Sequence, residues 1–178
     1  MVNLMIFVLL SFPGDTLTHN LVQRLKSPAG DVVFGALTAS GGREAVVGIP
    51  LTYSFLGGEK AHREFKPMIV GGVCTGLLVT GIKFLVNRPR PDGIYTRSNS
   101  SFPSGHAAVS FYYAEYIGTY HPEVKLPLYL WAGGVAVSRL YLDRHWLSDV
   151  VVGAIIGWGM ARLTIKYGNR LKELKFYE

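Results

Sequence analysis

The chain is poor in charge and almost devoid of cysteine. Its single cysteine, Cys74, excludes an intramolecular disulfide and any all-cysteine metal site, and says nothing about compartment. Charged residues make up only 17% of the 178 positions, well below the roughly 25% of soluble domains. No internal repeat or low-complexity stretch is present, which excludes solenoids and long linkers. No carboxylate cluster suited to magnesium stands out, and strands are needed nowhere.

Apolar residues account for 49%, and the mean hydropathy is +0.25. Their distribution carries more weight than their number. Charges sit in short clusters between apolar runs of roughly 15 to 23 residues, near the length that crosses a bilayer. The length suits one unit, so residues 1–178 are expected to form a single membrane-embedded domain. A net charge of +6 and a pI near 9.5 fit nucleic acid, an anionic membrane surface or a phosphorylated substrate. Cations buried among apolar runs disfavour nucleic acid, leaving a bilayer and a phosphorylated ligand as the expected partners.

The pattern predicts an all-α membrane bundle of about six transmembrane helices with one or two short interfacial helices near the N-terminus. Met1–Phe12 is apolar but lacks a basic start and a small-residue cleavage site, so it reads as an uncleaved first segment. As helix it reaches about 18 Å, against a hydrocarbon core of about 30 Å. From Asp15 to Lys26, Leu17, Leu21 and Leu25 recur every four residues, which predicts an amphipathic helix at the membrane surface. Asp31–Ser40 is expected to be a second, before the Gly41-Gly42 break. Packing of this pair as ordinary soluble helices is the alternative.

Glu44–Leu56, kinked at Pro50, is read as the second span, and Gly57–Lys66 as a polar loop. Pro67–Val86, Gly105–Tyr120, Leu126–Leu142 and Leu147–Ile165 follow, with Gly153, Gly157 and Gly159 as close-packing positions in the last. Asn87–Ser101, rich in arginine and proline, is an ordered loop outside the hydrocarbon. With this count both termini share one face, and the chemically distinctive residues fall at the other. Setting aside Lys83, Arg90 and Arg139, Lys and Arg are in excess on the terminal face. The positive-inside rule then puts the termini in the cytoplasm and the site on the outer, periplasmic side of an inner membrane.

Three pieces carry the chemistry. Lys83, Arg90 and Arg139 are donors suited to an oxyanion, a fork from each arginine and a point charge from lysine. Taken singly, each reads first as a helix-end cation snorkelling to headgroups; three on one face favour an anion site. Ser104-Gly105 opens an apolar helix, where a hydroxyl and free amides face the positive end of the dipole, although an ordinary serine cap has the same form. His145 and Asp149 are four apart, which on a helix lets the carboxylate orient the imidazole. A satisfied pair at a helix start is the plainer alternative. Asp143 and Arg144 are assigned to loop structure.

As they stand, Lys83-x6-Arg90-Pro91, Pro103-Ser104-Gly105-His106 and Ser138-Arg139-x5-His145-x3-Asp149 resemble the signature of the type 2 phosphatidic acid phosphatase family, complete in all three motifs. Arg88 lies beside Arg90, and the six-residue spacing selects Arg90. The resemblance implies that His145 attacks phosphorus to form a phosphohistidine, with Asp149 fixing its tautomer. It implies that His106 protonates the leaving oxygen and then activates water. Lys83, Arg90, Ser104, Gly105 and Arg139 would hold the phosphoryl oxygens. It implies no metal and no cofactor.

The expected function is therefore hydrolysis of a lipid phosphomonoester or pyrophosphate. Lipid A 1-phosphate is placed first, ahead of phosphatidylglycerophosphate and undecaprenyl pyrophosphate. The Asp92–Ser101 loop and the two surface helices are the expected places for headgroup selection. A vanadate-dependent haloperoxidase shares the same anion cradle, but membrane spans argue against it. A non-catalytic phospholipid-binding membrane protein would use the cations and have no need of His106, His145 or Asp149. Oligomeric state is left open.

Overall fold

The computed structural model describes residues 12–42, 44–94 and 96–173. Seven α-helices and two 3-10 turns make up the regular structure of these residues, with no strand among them. The expected first segment, Met1–Phe12, lies almost wholly outside the described residues.

Helix α1 (Pro13–Gln23) starts at a proline, whose missing N–H costs nothing in the first turn. Its Leu17 and Leu21, with Leu25 just beyond, are exposed, so the apolar stripe faces outwards, as on a helix lying in a membrane surface. On its opposite face Asp15 is buried. Helix α2 (Pro28–Ser40) begins as its sequence directs, with Pro28 in the first turn and the Ser27 hydroxyl accepting the Gly30 N–H at 3.1 Å. This start lies three residues before the expected Asp31. The phenol of Tyr141 accepts the Ser27 N–H at 2.7 Å and donates to the Ser27 carbonyl at 3.0 Å. A Cβ on Gly30 would come within 2.4 Å of that phenol oxygen, so glycine at residue 30 lets Tyr141 approach the α1–α2 corner closely.

After Gly41-Gly42 the chain turns through 73° into helix α3 (Ala45–Leu56), which contains Pro50. Helix α4 (Gly58–Val86) corrects the expected loop at Gly57–Lys66. Pro67 removes one N–H without ending the helix, because the turns before it are held from outside. Glu64 is buried, accepts a hydrogen bond from the Tyr53 hydroxyl at 2.5 Å, and offers its main-chain oxygen to the Tyr116 hydroxyl at 3.1 Å. Asn87, in left-handed geometry at φ 49°, caps the far end by donating its N–H to the Lys83 carbonyl.

Helix α5 (Gly105–Tyr120) is the axis of the bundle, buried from Ala107 to Gly118 except at the half-buried Phe111, and packed on α7, α6 and α4. Tyr112, Tyr113 and Tyr116 are fully buried and send their hydroxyls to the carbonyls of Met68, Val46 and Glu64. Helix α6 (Lys125–Tyr141) and helix α7 (Leu147–Glu173) complete the fold. Added Cβ atoms at Gly153 and Gly157 would lie 2.4 Å from the Ser104 carbonyl oxygen and 2.0 Å from that of Ala108. These glycines let α7 press against α5. Gly159 faces open space, which corrects its assignment as a packing position.

By length and composition two helices are able to cross a membrane, Ala61–Val86 within α4 and Leu147–Gly168 within α7. A third span results if the bent pair α2 and α3 counts as one. The expected six are therefore supported only for two or three of the described elements. At 16 and 17 residues, α5 and α6 reach roughly 24–26 Å, less than the core thickness of about 30 Å.

Candidate active site

The end of α4, the loop after it, the start of α5, the end of α6 and the start of α7 meet at one end of the bundle. They enclose a cavity of about 870 Å³ lined by Lys83, Arg90, Gly105, His106, Arg139 and His145. The Gly41-Gly42 break contributes another wall, and Val46, Val79 and Leu142 make it partly apolar.

Lys83, Arg90 and Arg139 each donate to neutral oxygens and not directly to a carboxylate. Lys83 Nζ donates to the carbonyl oxygens of Ser100 and Ser101. Arg90 donates Nε to the Asn99 carbonyl at 3.0 Å, one terminal nitrogen to Asn99 Oδ1 at 2.7 Å and the other to the Arg144 carbonyl at 2.8 Å. One arm of Arg139 donates to the Thr38 hydroxyl on α2. Its buried Nε has no protein partner and is left as a donor in the cavity wall. Ser104 is fully buried, and its hydroxyl accepts the Ala107 N–H at 3.4 Å as the cap of α5. That is the plainer of its two readings, and Ser104 is not among the residues lining the cavity, whereas Gly105 is.

His145 and Asp149 come together by a different route from the one the spacing suggested. His145 precedes α7 instead of lying on it. Asp149 occupies the first turn of α7 and reaches back, accepting the Trp146 N–H on Oδ2 at 2.8 Å, in the manner of a capping box. This places Oδ2 at 3.6 Å from His145 Nδ1. Burial pulls the His145 pKa down to about 4, with Lys83 and Arg139 adding to the fall and Asp149 opposing it. The imidazole is therefore neutral at neutral pH.

The remaining positions on Asp149 are filled by residues that sequence reasoning passed over. Oδ2 also accepts from the Ser101 hydroxyl, and Oδ1 accepts from Arg88 at 2.6 Å. The six-residue spacing from Lys83 selects Arg90 over Arg88, and Asp15 enters the sequence reading only as the start of the amphipathic stretch. The doubled Arg88-Pro89-Arg90-Pro91 was the one signal available. Arg144 pairs with Asp92 at 2.9 Å, in keeping with its loop assignment.

With the three motifs assembled around one cavity, comparison with known proteins decides the family: the model of the PAP2 superfamily matches residues 67–173, more than half of the chain. The chain belongs to the PAP2 superfamily. A PAP2 relative, the lipid A 1-phosphatase of Porphyromonas gingivalis, is 38% identical over 93 residues, which are 49% of this chain and 20% of that protein. The chain spans only part of its curated relatives, 20% of that protein and 58% of a decaprenylphosphoryl-5-phosphoribose phosphatase from Mycobacterium tuberculosis. Among solved structures, Aquifex aeolicus LpxE superposes with a TM-score of 0.76 at 26% identity, over 89% of this chain and 98% of that one. A PAP2-type phosphatidylglycerolphosphate phosphatase from Bacillus subtilis gives 0.73 at 20% identity, over 97% and 96%, and shows the shared fold.

Proposed function

We propose that this PAP2 protein hydrolyses a lipid phosphomonoester or pyrophosphate through a phosphohistidine on His145. The observation that carries the reading is the neutral His145 imidazole facing a cavity whose Arg139 Nε lacks any protein partner. With Nδ1 towards Asp149, Nε2 is the nucleophile. It bonds to phosphorus as the bond to the lipid oxygen breaks, and His106 gives that oxygen its proton. His106 then takes a proton from water as the water oxygen displaces Nε2, releasing inorganic phosphate. Lys83, Arg90, Arg139 and the Gly105 N–H hold the charge that builds on the phosphoryl oxygens, and Ser104 holds the helix end that presents that amide.

The reaction is metal-independent, because cations supply the charge a metal would otherwise provide. Among the described lining residues the ionisable ones are Lys83, Arg90, Arg139, Arg144, His106 and His145, with no carboxylate. Lipid A 1-phosphate is the first-choice substrate. Its support is the 38% identical relative of that name. The setting is an inner membrane, termini cytoplasmic and cavity on the outer face, in one domain.

The test is phosphate release by purified protein in detergent, with and without EDTA, from lipid A, phosphatidylglycerophosphate, phosphatidate and undecaprenyl pyrophosphate. Turnover that persists in EDTA and vanishes in His145→Ala is expected. Unchanged turnover in His145→Ala would sink the mechanism, and equal rates on all four lipids would remove the lipid A preference.

A further inference from the structure

Asp149 is 0% exposed, Asp15 3% and Arg88 4%, yet neither Asp15 nor Arg88 lines the cavity. The three form one continuous chain. Arg88 is held like a two-pronged fork. One terminal nitrogen donates to Asp149 Oδ1 at 2.6 Å and to the Ser148 hydroxyl at 2.7 Å. The other donates to Asp15 Oδ2 at 2.7 Å. Asp15 is itself clamped onto α7, its Oδ1 accepting the Ser148 N–H at 2.8 Å and its Oδ2 the Ser148 hydroxyl at 2.7 Å. The guanidinium lies 5.6 Å from the Trp146 ring, and the indole N–H donates to the Pro89 carbonyl at 3.0 Å.

A guanidinium is planar, so fixing one arm fixes the direction of the other. Asp15 fixes one arm; the other is thereby aimed at Oδ1 of Asp149 and the Ser148 hydroxyl. With Oδ1 committed, the carboxylate plane is set, and Oδ2 is the oxygen presented to His145. We propose that Asp15 and Arg88 are positioning residues for the nucleophile, transmitting the seating of the surface helix α1 to the orientation and charge of Asp149. The inference rests on His145 being the nucleophile, as proposed above. It gives α1 a part in turnover although no residue of α1 lines the cavity.

The charges that face this pair come from every surrounding element. Lys83 of α4, Arg139 of α6 and His106 of α5 act on His145, and Lys83 and Arg90 on Asp149. Removing the Arg88 cation leaves Asp149 a stronger base facing the imidazole, so His145 takes up a proton more readily. The acid limb of the kcat/KM profile must then move to higher pH.

Arg88→Gln is expected to lower kcat by on the order of 10- to 100-fold, the scale seen for outer partners that orient a working group. KM should stay within about threefold, because the phosphate-holding residues are untouched. Its acid limb should rise, and Arg88→Lys, which restores charge without the fork, should return the limb but only part of kcat. Asp15→Asn should lower kcat less, and the Asp15→Asn/Arg88→Gln pair should be no slower than Arg88→Gln alone.

Ser148→Ala removes the bridging hydroxyl without changing charge, and about a 3- to 10-fold loss in kcat is expected from one hydrogen-bonded link. It decides the matter if Arg88→Gln fails to fold. Wild type and His145→Ala are measured alongside. Active wild type, dead His145→Ala and unchanged kcat and acid limb in Arg88→Gln, or unchanged kcat in Ser148→Ala where Arg88→Gln does not fold, overturn the positioning role alone. Multiplying losses in the double variant overturn the route from Asp15. Full activity in His145→Ala, or none in wild type, removes the proposed mechanism and this role with it.

Discussion

Nδ1 of His145 lies 3.6 Å from Oδ2 of Asp149, and that same oxygen accepts the main-chain N–H of Trp146 at 2.8 Å. One carboxylate thus starts a helix and faces an imidazole that stands outside it. Asp149→Asn keeps an oxygen for the Trp146 N–H but loses the charge. Phosphate release should fall by about 10²- to 10⁴-fold with the protein still folded, and His145→Ala should fall at least as far. Kinetics of lipid phosphate release, with trapping of the acid-labile phosphoenzyme, measure both.

The buried neutral His145 makes stability depend on pH. Its folded pKa, about 4, is below the ordinary 6.5, so between these values the unfolded chain binds more protons. Stability is full above pH 6.5 and falls as pH drops towards 4, by on the order of 2–3 kcal/mol from this group. Thermal unfolding in detergent from pH 7 to 4 should show a shallower decline for His145→Gln than for wild type. Parallel curves would count against a buried neutral imidazole.

Thr38 on α2 reaches across to Arg139. Thr38→Val keeps the shape and removes the acceptor, freeing the guanidinium to wander. Inhibition by vanadate should weaken by about 3- to 10-fold, the size of one hydrogen bond. An unchanged inhibition constant would show that Arg139 needs no help from α2.

Gly157 and Gly159 offer a matched comparison on one helix. A Cβ at Gly157 would meet the Ala108 carbonyl oxygen at 2.0 Å, while one at Gly159 meets nothing within 4 Å. Gly157→Ala should destabilise by about 1–3 kcal/mol through overpacking, and Gly159→Ala should change stability by no more than about 0.5 kcal/mol. Melting temperatures in the same detergent separate them.

Much of the fold was legible because helix period, proline starts and small residues act over a few positions. The α1 stripe of Leu17, Leu21 and Leu25 and the close-packing Gly153 and Gly157 were read correctly, whereas α2 starts at Pro28 and not at the expected Asp31. Gly57–Lys66 was not, because its polar residues look like a loop until Glu64 is seen between Tyr53 and Tyr116 on other helices. The span count is met by length and composition for only two or three of the described elements. The burial of α5 inside the bundle depends on its neighbours, and hydropathy does not report it.

The sequence by itself determined the chemical inventory: cations, two histidines and a carboxylate at spacings that close on one end of a helical bundle. Local rules suffice for this, since residues at helix ends share a face whatever the packing. Spacing picks Arg90 for the cavity, but only the tertiary structure decided that Arg88 serves Asp149 and that Asp15 holds Arg88 in place. Two arginines separated by one proline are alike in sequence. Which of them meets a carboxylate contributed by α1 or α7 depends on how those distant helices pack, and no spacing along the chain encodes that.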